Sequence, residues 1–191
     1  KGKTSAALGV AMRAVGQGKK VAMVQWYKEK SKIKNQKSKI NTGTWSIGEH
    51  RLPELLKRPL FEIYPMGQGF YKLPTDHAGE EEHTKAAREA MEMAKKLLEN
   101  ELLVVSPNNL SLNQQLTTNN QKLFLLVLDE SLNAVNDKLI NLIDLINLIS
   151  KRGETHIILT GRSAPKKLID LADLVTEMKN VKHPFEKGQK A

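Results

Sequence analysis

One run in this sequence, Leu123-Phe124-Leu125-Leu126-Val127-Leu128, is continuously apolar and ends directly on Asp129-Glu130. A strand that alternates apolar and polar residues can leave one face in water, but an unbroken apolar run needs cover on both. It is therefore the predicted centre of a sheet with helices above and below. Residues 21–24, 61–64, 156–159 and 174–178 read as further strands, and residues 102–105 as another candidate. Helical spacing fills the intervals. The first helix ends at Gly16 and Gly18, a weak one covers residues 52–57, and another is opened near Pro165 and runs over 164–172. Residues 139–149 have helical apolar spacing, and residues 78–99 form a long helix. The long one carries Glu80, Glu81 and Glu82 early and Lys95 and Lys96 late, the arrangement a helix dipole favours. Strands alternating with helices predict an α/β fold: a mostly parallel sheet with helices on both faces.

A length of 191 residues predicts a single domain over residues 1–191. Residues 106–121, rich in Asn, Gln, Ser and Thr, read as an inserted loop. No apolar run approaches the roughly 18 residues a membrane span requires, and no signal peptide is visible. The chain has no cysteine, which excludes disulfides, thiolate metal sites and a cysteine nucleophile, and fits the expected cytoplasmic location. The net charge of +9 is concentrated in Lys28, Lys30, Lys32, Lys34, Lys37 and Lys39. Without interleaved aromatics, this stretch reads as a solvated loop before it reads as a polyanion contact. A basic nucleic-acid-binding module is thus an alternative of a different class, one that predicts salt-sensitive binding.

In open parallel sheets ligands sit beyond the carboxyl ends of the strands. That places attention on Gln25-Trp26, Asp129-Glu130 and Thr160-Gly161-Arg162, together with the residues opening the first helix. Those opening residues, Gly2-Lys3-Thr4, match the end of the phosphate-binding pattern G-x-x-x-x-G-K-[ST]. There, backbone amides cradle phosphate, lysine adds charge and a hydroxyl reaches magnesium. The pattern's first glycine and its strand would precede residue 1, so the sheet is expected to lack its first strand and the domain to be N-terminally truncated. Alone, the tripeptide reads as a disordered basic terminus before it reads as a phosphate loop, and the acidic pair also suits a helix cap. Linked, they predict a P-loop nucleotide enzyme in which Asp129 or Glu130 serves magnesium.

Several stretches together resemble the corrinoid adenosyltransferase family of the cobalamin pathway. They are Gly2-Lys3-Thr4-Ser5-Ala6-Ala7, Arg13-Ala14-Val15-Gly16, Val24-Gln25, Met66-Gly67-Gln68-Gly69-Phe70 and Val127-Leu128-Asp129-Glu130. Most specific is the run from Thr160-Gly161-Arg162-Ser163-Ala164-Pro165 through Ala172-Asp173-Leu174-Val175-Thr176-Glu177-Met178 to Val181-Lys182-His183-Pro184-Phe185. The resemblance implies a RecA-like P-loop fold, usually a homodimer, that uses ATP and Mg2+ to adenosylate a reduced corrinoid and releases triphosphate. A flavoprotein or other corrinoid reductase is the implied partner, and nucleic acid is not. Phosphate and magnesium roles would fall on Lys1, Gly2, Lys3, Thr4 and Ser5, with Arg13 and Glu130 as further contacts; Thr4 and Glu130 are the expected metal ligands.

By the same resemblance, Phe70 is the aromatic beside the corrinoid, where an apolar wedge helps strip the lower axial ligand from cobalt and eases its reduction. Lys3 and Phe70 are accordingly the expected catalytic residues. Trp26, Tyr71, Arg162 and His183 are further candidate contacts, although aromatics after a strand or in a glycine loop more often pack the core. His156, at a strand start, is expected to be structural. Two departures from the family pattern stand out: Lys72, where many members carry a second aromatic, and Ser163, which replaces a common glycine. The enzymatic alternative is another P-loop protein, a nucleoside kinase or RecA-like ATPase. A non-catalytic relic or a corrinoid-binding regulator is a third.

Overall fold

A computed structural model describes residues 2–29, 48–56, 60–69, 71–73, 76–99 and 122–182. Lys1, Phe70, His183, the lysines from Lys30 to Lys39, the candidate strand 102–105 and the candidate insertion 106–121 lie outside these residues.

Helix α1 (Lys3–Gly16) leads into β1 (Lys20–Gln25). A 3-10 turn (Gly48–Arg51) and the short α2 (Leu52–Leu56) precede β2 (Phe61–Pro65) and the long α3 (Glu80–Leu98). Then follow β3 (Leu123–Asp129), α4 (Ser131–Asn136), α5 (Leu142–Ser150), β4 (His156–Leu159) and α6 (Lys166–Leu171). The strands form one sheet in the order β2-β1-β3-β4, parallel at every pairing. The α/β architecture expected from the alternating pattern is present. No helix among the described residues is long and apolar enough to cross a membrane.

The pleat divides the core in two. Val21, Met23, Phe61, Leu125 and Val127 meet Ala7, Ala11, Ala14 and Val15 of α1 on one face. On the other, Ala22, Val24, Leu126 and Leu128 meet Ala87, Ala90, Ala94 and Leu97 of α3, with Leu145 and Leu148 of α5. Both long helices present alanines to the sheet, so their backbones approach it closely, and β3 is covered twice as its apolar run requires. Element ends are set by local chemistry. Asn141 Oδ1 accepts from the Ile143 amide at 2.8 Å to start α5, and Glu82 Oε2 accepts from the Gly79 amide at 2.8 Å at the start of α3.

Two differences from the sequence expectation stand out. Helix α4, too short to show a period, begins immediately after β3. Residues 174–178 do not form a strand. Their apolar side chains are exposed, Leu174 at 83% and Val175 at 50%, and no ladder partner lies beside them among the described residues. Apolar β-formers raise the tendency to extend, but only a neighbouring strand completes the hydrogen bonds.

The parallel registers put Gln25 beside both Pro65 and Asp129, and Leu128 beside Leu159. All four carboxyl ends therefore open on one edge, and the residues that follow them share it.

Candidate nucleotide site

Asp129 closes β3 with no exposed surface, and both of its carboxylate oxygens are engaged. Oδ1 accepts from the Thr4 hydroxyl at 2.9 Å and from the Thr160 hydroxyl at 2.7 Å; Oδ2 accepts from Gln25 Nε2 at 3.2 Å. The donors come from the first turn of α1, the end of β1 and the residue after β4. Thr160 uses its oxygen a second time, accepting from the Glu130 amide at 2.9 Å. A buried acid is tolerated when its lone pairs are filled in this way.

Gly2 caps α1 with φ 93°, in the left-handed region that only glycine enters without strain, and it turns the chain into the helix beside Asp129. The first turn of α1, with its unpaired amides and positive dipole end, faces the acidic end of β3. Such a terminus is suited to phosphate.

Glu130 follows at φ 61°. Burial first, and then the neighbouring Asp129, push its carboxyl above the ordinary range, while the positive charges of Lys28, Lys3 and Arg162 oppose the shift. Three cations from three segments thus act on one carboxyl. The oxygen donors Thr4, Asp129 and Glu130 are a hard set of the kind magnesium prefers, so the residues present fit that ion. It is Asp129, rather than Glu130, that Thr4 contacts.

The carboxyl edge is tightened by backbone contacts. The Trp26 amide donates to the Asp129 carbonyl at 3.1 Å, the Met66 amide to the Gln25 carbonyl at 2.9 Å and the Gly67 amide to the Lys28 carbonyl at 3.0 Å. A Cβ on Gly67 would lie 2.2 Å from the Trp26 carbonyl oxygen, so only glycine fits there. From there the chain enters the 66–79 segment. Tyr71 is buried in it, its ring 4.8 Å from that of His83 and under the Lys72 ammonium at 4.7 Å. Asp76 accepts from the Lys72 amide at 2.8 Å and the Ala78 amide at 3.2 Å, and its Oδ1 lies 2.9 Å from His83 Nε2. The hydrogen bond from His83 is the main reason the Asp76 carboxyl is held down at about 2.

The candidates named from sequence separate accordingly. Gly2, Lys3, Thr4, Glu130 and Arg162 gather at the edge, with Ser5 exposed on the first turn of α1. Arg13 does not join them: it sits in the last turn of α1, on the order of 15 Å along the axis at 1.5 Å per residue. Trp26 and Tyr71 are core residues, yet Trp26 Nε1 and the Tyr71 hydroxyl are buried without partners among the described residues.

Sequence reasoning missed His50 and the role of Lys28. His50 Nε2 lies 2.8 Å from Gln25 Oε1, and burial is the main cause lowering its pKa, which favours the neutral ring. His50 follows a stretch with no motif, and Lys28 opens the lysine-rich run, so neither carried a distinguishing signal.

Comparison with known proteins shows which family the chain belongs to. A family model described as ATP:corrinoid adenosyltransferase BtuR/CobO/CobP matches residues 1–191. The chain belongs to the ATP:corrinoid adenosyltransferase family. It is similar to the corrinoid adenosyltransferase of Escherichia coli K12, with 32% identity over 192 residues that cover 100% of this chain and 78% of that protein. Corrinoid adenosyltransferase CobA of Salmonella typhimurium is 32% identical over 196 residues, again 100% and 78%. A corrinoid adenosyltransferase from Sinorhizobium is 30% identical over 193 residues, covering 100% of this chain and 73% of its own length. As a member of the ATP:corrinoid adenosyltransferase family the chain is a transferase, with ATP and a corrinoid as the family's substrates.

Proposed function

We propose that the carboxyl edge of the sheet binds the triphosphate of ATP with magnesium, and that the protein moves the 5′-deoxyadenosyl group to the cobalt of a reduced corrinoid. The observation that carries this reading is the convergence of Thr4 and Asp129, 2.9 Å apart, at the amino end of α1, in a chain matched by the family over its full length.

Cobalt(I), as the nucleophile, attacks the ribose C5′; the cobalt–carbon bond forms as the C5′–oxygen bond breaks, and the bonding pair leaves on triphosphate. Carbon is the reacting centre, so no protein nucleophile or general base is called for. The protein's task is to hold C5′ in line and to stabilise charge on the departing phosphate oxygens. The α1 amides and the Lys3, Lys28 and Arg162 charges serve that end. When bound, magnesium supplies further charge neutralisation on the same oxygens; Thr4, Asp129 and Glu130 are the residues that would hold it. Phe70, in the segment that begins at Gly67, is the residue we assign to the corrinoid side. A corrinoid reductase, a second copy of the chain and a cytoplasmic setting complete the reading, with the single domain extending over residues 1–191.

An anaerobic assay with ATP, magnesium and chemically reduced cob(I)alamin tests it, read by the light-sensitive adenosyl product and by released triphosphate. Lys3→Ala is expected to lower the rate by about 100-fold or more, the usual scale for removing a group that stabilises transition-state charge. Neither product nor corrinoid binding, under conditions in which a family enzyme works, would overturn the assignment.

A further inference from the structure

Gln25 is completely buried, and its two amide atoms have different partners: Nε2 donates to Asp129 Oδ2 at 3.2 Å, and Oε1 faces His50 Nε2 at 2.8 Å. Asp129 accepts at both oxygens, so the amide's NH2 must be the end that faces it. The Gln25 oxygen can then only accept, and His50 must carry a proton on Nε2. One buried contact thus fixes both an amide orientation and a ring tautomer.

The path continues from Asp129 to the Thr4 and Thr160 hydroxyls, and from Thr160 to the Glu130 amide. His50 lies in the 3-10 turn Gly48–Arg51, well apart in sequence from Thr4 and Asp129. Its own Nδ1 is buried without a partner among the described residues, so among them Gln25 is the ring's hydrogen-bond partner.

We infer that His50 and Gln25 are positioning residues for the metal-nucleotide end of the site, His50 holding the Gln25 amide so that its NH2 orients the Asp129 carboxylate toward Thr4. The inference rests on the reading of Thr4 and Asp129 as the magnesium-bearing pair. Without the donor at position 50, Gln25 Oε1 is left buried and unpaired, and the amide gains by turning its oxygen toward another donor. That turn withdraws the NH2 from Asp129. Asp129 then loses its orientation while the amides of α1, which meet phosphate directly, are untouched.

The effect belongs to the metal-bound form of the nucleotide. Isothermal titration calorimetry with Mg-ATP, and with ATP in EDTA, separates the two. His50→Ala is expected to weaken Mg-ATP binding roughly tenfold, the scale of one buried hydrogen bond, and to change metal-free ATP binding by less than about twofold. His50→Gln, whose amide nitrogen reaches close to the place of Nε2, is expected to restore Mg-ATP affinity to near wild type. Equal losses with and without magnesium and no rescue by glutamine would mean a structural role only and overturn the inference, as would His50→Ala binding like wild type. A wild-type protein that binds ATP equally with and without magnesium removes the Thr4–Asp129 reading itself, and the inference falls with it.

Discussion

Glu130 occupies a left-handed backbone position at φ 61°, which a residue with a side chain enters at a cost of about 1–2 kcal/mol, and its carboxyl is pushed up by burial and by Asp129. A carboxyl whose folded pKa is raised contributes its stability below the ordinary value and loses it as pH rises through the raised one. Glu130→Gln is therefore expected to melt higher than wild type at neutral pH, to converge with it in acid, and to lose adenosyl transfer; paired melting curves and the anaerobic assay check this. Ser163 gives a simpler case. It stands at φ 49°, which explains in backbone terms why a glycine suits that position. Ser163→Gly is expected to add about 1 kcal/mol of stability, read as a higher denaturant midpoint. At this scale the sequence named Gly2, Lys3, Thr4, Glu130 and Arg162 from motif and strand-end position, and these residues lie together at the carboxyl edge. It pointed to Gln25 and Thr160 only as neighbours of strand ends, and it was silent on His50. A hydrogen bond such as Gln25 to Asp129, across 104 positions, leaves no spacing in the chain that a reader of sequence could recognise.

Among the elements, Gly67 after β2 donates its amide to the Lys28 carbonyl, and Asp76 before α3 is held against His83. Asp76 is held at about 2, below the ordinary 3.8, chiefly by the His83 hydrogen bond. A carboxyl with a depressed folded pKa contributes its stability above the ordinary value and loses it as pH falls through the depressed one. Between pH 4 and pH 2 the wild-type protein is thus expected to lose stability more steeply than Asp76→Ala, which denaturant titrations at stepped pH would show. Helices and strands were legible where periodicity or an unbroken apolar run extended over several residues, as in α3 and β3. Residues 174–178 show the limit. Leu174 and Val175 have the composition of a strand, but pairing depends on a neighbour that composition does not specify.

Taken whole, the molecule is organised by two central strands. β1 and β3 each pair on both sides, whereas β2 and β4 pair on one side within the described sheet. Amides of β1 and β3 are therefore expected to exchange hydrogen most slowly, at rates reporting global unfolding, with those of β4 exchanging sooner; native-state exchange read by mass spectrometry or NMR distinguishes these. The architecture was the most legible property of all, because a strand that must be covered on both faces admits few arrangements. The charge of +9 was the least informative: Lys3, Lys28 and Arg162 act on the Glu130 carboxyl, and the total says nothing of where they meet. Asp129 draws its three side-chain donors from positions 4, 25 and 160. Evolution consequently cannot retire this aspartate in a single step. Its loss strands three partners at once, and the loss of any one partner leaves the other two committed to the same carboxylate. Descendants of this chain are expected to inherit these four positions as a set.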